Sequence, residues 1–354
     1  MSQKVYWKER REEHAKSRLE WVDQFRGLIV VLFIIADVSW RYIDYTATFL
    51  MHGWDFFSAT PQMITIIDIG QQIFLFMVGF VGALAYYKHL AKNNDKFPWK
   101  KFLIRLGSLI ILMILYDGLI WGHDEWILEA GWPGSWPGWQ WVFFEGTFAT
   151  IFWSYAVAIP LLHWTQKKPD IRVFFSLAIF ITHAILYTLT AVRSSEIVTW
   201  NTLNHIGITI MATCTYDWWY NLNDQEKNPE AGIKKRVLPV AISSYVVCYI
   251  LNYVQPADHT DATTSLALMA IGTSQFVCFI FYSFEKVGVK IPFLTALGRN
   301  VLLMVLIVAV QGEWLGLIPV NNAIVALLWV GILPIVVCTA IAWILHRYKL
   351  YLRF

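Results

Sequence analysis

Charge is scarce in this 354-residue chain. Asp, Glu, Lys and Arg together make up 15% of it, against roughly 25% in an ordinary soluble domain, which argues against a soluble enzyme and against a disordered chain. The net charge is only +3, spread over short separated segments, so a nucleic-acid-binding domain is excluded and no nucleic-acid partner is expected. Cysteine is rare as well. Cys214, Cys248, Cys278 and Cys338 form no CxxC pair and all fall inside apolar runs, so neither disulfide staples nor thiolate metal sites are expected. P-loop, GxGxxG and HExxH patterns are missing, which leaves no motif for a nucleotide or for zinc. The opening MSQKVYWKERREEHAKSRLEWVDQFRG is charged before any apolar run begins, unlike a cleavable signal peptide, and the amino terminus is expected to stay in the cytoplasm.

What the chain has is apolar length. Hydrophobic residues are 57% of it and mean hydropathy is +0.49; at roughly 20 apolar residues per crossing, that inventory fills about ten spans. The expected spans are 24–43, 62–87, 102–121, 142–164, 172–191, 200–221, 237–254, 263–284, 292–311 and 321–345. They are read as helices, because a backbone in lipid must satisfy its own hydrogen bonds and these runs lack the alternation of a barrel. With the amino terminus inside, every Lys and Arg except Arg41, Arg193 and Arg299 falls on the cytoplasmic side or at a cytoplasmic helix end, as the positive-inside rule requires. The sequence therefore predicts an all-α polytopic membrane protein of about ten transmembrane helices with both termini cytoplasmic. It divides into a basic cytoplasmic segment (1–23), one ten-helix domain (24–346) and a short basic tail (347–354). Tryptophans such as Trp99, Trp121, Trp141, Trp164 and Trp200 sit at span boundaries as an aromatic belt.

Ionisable groups inside spans are costly and mark candidate sites. Asp37, Asp68, Asp117 and Asp217 fall within spans, and each is either functional or a hydrogen-bonding partner between helices. Asp37 and Asp68 both approach the outer half of the bilayer, where the first outer loop carries His52 and Trp54. Imidazole titrates near neutrality and can take a proton from an amine or a hydroxyl. The second outer loop, Gly122 to Gln140, holds four tryptophans beside His123, Asp124 and Glu125; flat rings such as Trp126 stack on sugar faces, or else belong to the interfacial belt. Neighbouring His123, Asp124 and Glu125 diverge too much to share a metal, and His205 and His259 have no second histidine at ligand spacing, so no metal is expected. On the inner side, the loop Lys88 to Lys101 and the run Lys234 to Arg236 could meet phosphates of a soluble acyl carrier or of anionic lipid, or simply obey topology.

Three motifs carry a resemblance. Arg18-Leu19-Glu20-Trp21-Val22-Asp23-Gln24-Phe25-Arg26-Gly27 resembles the R-L-x-S-x-D-x-F-R-G entry of the heparan-alpha-glucosaminide N-acetyltransferase family, within a wider transmembrane acyltransferase superfamily. Asp68, Phe74, Phe76 and Gly79 are similar in spacing to that family's D-L-V-F-P-x-F-x-F-x-x-G, and Leu297-Gly298-Arg299-Asn300 to its L-G-x-N. The resemblance takes in residues 18 to 90 and 292 to 305.

What it implies is an acetyl-CoA-dependent acyltransferase. The acyl group passes from cytoplasmic acetyl-CoA, or another acyl-CoA, to an amine or hydroxyl of a sugar or glycan on the far side of the membrane. His52 would be the general base, with Asp68 orienting it or holding the acceptor. Asp37, Asp23 and Arg26 would be supporting polar contacts, Arg299 and Asn300 would meet the donor, and Trp54, His123 and Trp126 the acceptor. The partners are then membrane lipid, an acyl donor and a glycan acceptor, with a homodimer left open. Two alternatives also stand: an ion- or proton-coupled transporter or flippase whose aspartates line a path through the bundle, and a non-catalytic partner subunit of the same fold.

Overall fold

The structure, a computed structural model, describes residues 19–41, 69–92, 96–120, 141–166, 168–189, 201–220, 229–257, 262–316, 325 and 328–350. Among them there is no strand. In chain order the α-helices of eight or more residues are α1 (Glu20–Arg41), α2 (Gly70–Lys92), α3 (Trp99–Leu112), α4 (Thr147–Trp164), α5 (Pro169–Leu189), α6 (Asn201–Trp219), α7 (Leu238–Leu251), α8 (Thr264–Lys286), α9 (Pro292–Arg299), α10 (Val301–Gly316) and α11 (Leu333–Arg347), with one further helical turn at Pro229–Gly232. Wider π-type turns extend α3 over Met113–Ile120 and precede α4 at Trp141–Glu145, α7 at Ile233–Val237 and α11 at Leu328–Ile332.

Four helical stretches, Gly70–Leu90, Thr147–Trp164, Pro169–Thr188 and Thr264–Lys286, are long and apolar enough to cross a membrane. On α5 the exposed side chains include Phe174, Phe175, Leu177, Ile181 and Ile185, and on α7 Ile242, Val246, Val247 and Ile250. An apolar outer face of this extent suits lipid rather than water.

The most enclosed helix, α6, is not among those four. Every residue from Asn204 to Trp219 is buried, because α2, α4, α5 and α8 all pack against it. A helix that meets only protein does not need apolar residues, and α6 spends its surface on small hydroxylated ones: Thr209, Thr213 and Thr215 are buried and bond their own preceding turn. Small residues let neighbours approach closely. Gly79 of α2 faces the Thr209 carbonyl and the Ala212 methyl, so any side chain there would push the two helices apart.

Aromatic stacking locks α1 to this centre. Trp21 stacks on Trp219 at 5.3 Å between ring centroids and meets Phe80 edge-on at 5.5 Å. The start of α1 is tied to the end of α8 and the start of α9 as well: the Trp21 amide donates to Glu285 Oε2 at 2.8 Å, and Gln24 Oε1 accepts from the Ile291 amide at 3.3 Å.

The expected ninth span, 292–311, is not one helix. It breaks at Asn300 (φ −127°, ψ 37°), after α9 and before α10. Pro292 starts α9 with the φ a first turn requires. The Gly298-Arg299-Asn300 run then ends it, since Gly and Asn are poor helix formers. α9 lies across α1 at very short range. A Cβ on Gly298 would strike the Asp23 carbonyl, and one on Gly27 the Leu294 carbonyl, so both positions need glycine for the crossing to exist.

Candidate functional site

The α1–α9 crossing brings together the two motifs that lie almost 300 residues apart in the chain. Asp23 is buried, and its carboxylate lies 3.6 Å from Arg26 Nη1 and 3.7 Å from Arg299 Nε. On its other side Arg299 Nη1 lies 2.6 and 2.7 Å from the two ring nitrogens of His346 on α11. Asn300, buried at the break, begins the next helix through the Met304 amide, which donates to its carbonyl. At the edge of the crossing Lys290 Nζ donates to Glu20 Oε2 at 2.7 Å, and this hydrogen bond raises the ammonium pKa above its ordinary value.

Arg26 reaches from this cluster into a cleft of about 80 Å³ between α1, α2, α3, α4 and α10. Arg105 and Ser108 of α3 line its other side, and Val301 and Leu302, the first residues of α10, close it. The Arg105 guanidinium lies over the Tyr155 ring at 5.0 Å, which fixes its head while leaving its donors in plane. The cleft thus gathers two guanidinium groups and the opening turn of a sixteen-residue helix, whose dipole presents partial positive charge. Within the cluster Asp23 is one acid against Arg26 and Arg299, so the surplus charge is positive. The rest of the lining is mostly apolar, Ile29, Phe74, Met77, Leu109 and Leu112 among it, and guanidinium groups are the part of such a site that can meet an oxyanion.

Of the residues singled out in the sequence, the structure therefore assembles Asp23, Arg26, Arg299 and Asn300. His52, Trp54, Asp68, His123 and Trp126 lie outside the described residues. Asp37 falls on α1, and its side chain lies outside them too.

The two remaining in-span aspartates have structural partners. Asp117, in the π-type turns after α3, accepts from the Phe148 and Ala149 amides at 2.9 and 3.2 Å, so it caps the first turn of α4 from a neighbouring helix. Gly146 makes room for it, since a Cβ there would meet the carboxylate. Asp217 of α6 is ion-paired with Arg172 of α5, and Arg172 Nη1 donates to Thr213 Oγ1 at 3.0 Å. Both side chains are fully buried.

Sequence reasoning passed over Arg105 and His346. Arg105 counts among the inner-side charges of the third span, and that close to a span's end an arginine reaches the interface without further purpose, so no local signal marks it. His346 carries no local signal, because only the fold of α11 sets it beside Arg299. No family model matches this chain, and comparison with curated proteins finds no match.

Proposed function

We propose that the chain is an integral membrane acyltransferase of ten spans with both termini cytoplasmic, akin to the glucosaminide acetyltransferases, using an acyl-CoA held at the α1–α9 crossing. The observation that carries this reading is the meeting of the D-x-F-R-G and L-G-R-N segments, where Asp23 lies beside Arg26 and Arg299, with Arg26 also lining one small cleft together with Arg105. Arginine forks match the phosphates of a nucleotide-linked donor in geometry as well as charge. The pantetheine arm would run from there between α1 and α2 toward the outer side.

In this reading the acceptor's amine or hydroxyl attacks the thioester carbonyl carbon. The C–S bond breaks, an amide or ester bond forms, and the proton taken from the acceptor by His52 passes to the departing thiolate. Asp68 orients His52 or the acceptor, with Asp37 in support, while Trp54, His123 and Trp126 offer a sugar aromatic faces and hydrogen bonds. A positioned general base supplies about 10²- to 10⁴-fold, and alignment of donor with acceptor supplies more. Losing His52 should therefore abolish transfer and leave donor binding intact.

The test is reconstitution in proteoliposomes with labelled acetyl-CoA on the Arg26 side and an amino sugar on the other. Label should reach the sugar in the parent chain and not in His52→Ala, while CoA protects both from heat unfolding. Absence of CoA protection in the parent would overturn the reading.

A further inference from the structure

α5 packs on α6, and α7 packs on α8, but α5 and α7 stand apart. The cleft between them measures about 670 Å³ and is lined by Leu177, Ala184, Val240, Val247, Met211 and Leu268 among others. Its hydroxyl-bearing residues are few, and Thr264 is already engaged with the Phe180 carbonyl and with Asn204. From Val240 to Leu251 the α7 wall runs about 16 Å at 1.5 Å per residue. That is the depth of one leaflet of a bilayer core of roughly 30 Å.

The segment that leads into the α7 wall of this cleft is strongly basic. Lys234, Lys235 and Arg236 occupy the turn that leads into α7, and Val240 follows Arg236 by a single helical turn. Lys234 and Lys235 are exposed, and none of the three has an ion-pair partner among the described residues. The acid of the same segment, Glu230, faces Lys286 at 3.7 Å. At the entry of the opposite wall Lys168 is exposed just before α5, beside Asp170. An apolar slot one leaflet deep with exposed lysines near its mouth has the two-part chemistry of an anionic phospholipid.

We propose that the α5–α7 cleft binds an anionic phospholipid from the leaflet on the Lys234–Arg236 side. One acyl chain lies between α5 and α7, and the phosphate sits on Lys234, Lys235 and Arg236. The site is separate from the acyl-transfer cluster and stands whether or not that reading holds.

The experiment uses the full chain, purified in detergent and offered phosphatidylglycerol or phosphatidylcholine of identical acyl chains, with retained lipid read by native mass spectrometry. Phosphatidylglycerol should be retained preferentially and should raise the unfolding midpoint by about 3 °C or more. The K234Q/K235Q/R236Q variant, whose changes are at the surface, should lose roughly tenfold or more of that retention, since each cation near an anionic headgroup contributes. Ala184→Trp, which fills the slot, should lose retention of the lipid with the triad intact. Glycerophosphoglycerol, the headgroup without chains, should not compete. Equal retention of the two lipids, an unaffected triad variant, full competition by the chainless headgroup, or a second copy of the chain covering the cleft in cross-linking would each overturn the proposal.

Discussion

Two ionic clusters lie at the same end of the bundle and are built to opposite ends. Trp21 stacks on Trp219, so Asp23, two residues past Trp21, and Asp217, two before Trp219, share that end. The Arg172–Asp217 pair is sealed: both side chains are wholly inaccessible, and Thr213 takes a further donor of the guanidinium. The Asp23 cluster is half-open. Arg26 keeps 30% of its side chain accessible, its distance to Asp23 is 3.6 Å, and the cleft lies beside it. Desolvation makes a sealed pair expensive to break, and its inaccessibility keeps it from any ligand. A looser, part-exposed pairing keeps the Arg26 guanidinium within reach of a visitor at small cost in stability. Burial of the aspartate, therefore, does not separate the two clusters; the accessibility of the arginine does.

The largest effect should come from breaking the sealed pair. Asp217→Ala leaves a buried guanidinium uncompensated and should cost about 3–5 kcal/mol, read as a large fall in the unfolding midpoint in detergent. Replacing both partners, as in Arg172→Met with Asp217→Leu, should recover most of that loss. If the double variant is no more stable than the single one, the pair is doing more than neutralising itself.

Next comes the contact that assembles the half-open cluster. Gly298→Ala places a methyl against the Asp23 carbonyl, and overpacking against backbone should cost about 2–3 kcal/mol. It should also move Arg299 away from Asp23, so that any protection by CoA falls with stability. A smaller loss, about 1–2 kcal/mol, is expected for Asp117→Ala, which removes the cap from α4. Asp117→Ala should leave donor protection unchanged, since Asp117 touches neither cluster.

The apolar runs showed in the sequence that helices form, but hydropathy is a poor guide to which one sits in the centre. α6 owes its low apolarity to being surrounded by protein, and the same Thr and Cys residues would look like a weak span to any reading that takes lipid as the only environment. The break at Asn300 was hidden for the opposite reason, because Val301 to Val310 continue the apolar run and only the Gly298-Arg299-Asn300 run marks the stop. Asp23, Arg26 and Arg299 were legible as motif residues. Their company was not, since Arg105 and His346 join them only through packing across three helices. Asp217 stood out as a charge in a span, but its partner 45 residues away carries no local mark and was counted with the inner-side charges. Long-range pairing of this kind is set by tertiary contact and leaves no periodicity behind.

The comparison sharpens most at Arg26. Its ion pair with Asp23 is partly exposed and lacks hydrogen-bond distance, so Arg26→Gln should change stability by no more than about 1 kcal/mol. A guanidinium that meets a phosphate, by contrast, makes charge-assisted hydrogen bonds of about 1.5–3 kcal/mol, and losing them weakens donor binding by roughly 10- to 100-fold. Arg26→Gln should therefore separate the two readouts: an unfolding midpoint near that of the parent, and a titration of CoA protection shifted to at least tenfold higher concentration. Arg105→Gln, on the opposite wall of the cleft, should do the same, and the two together should come close to additive if each fork holds its own phosphate oxygen. Equal protection by CoA in the parent and in both variants would remove the cleft from any account of donor binding and leave Arg26, like Arg172, a charge that serves only the fold.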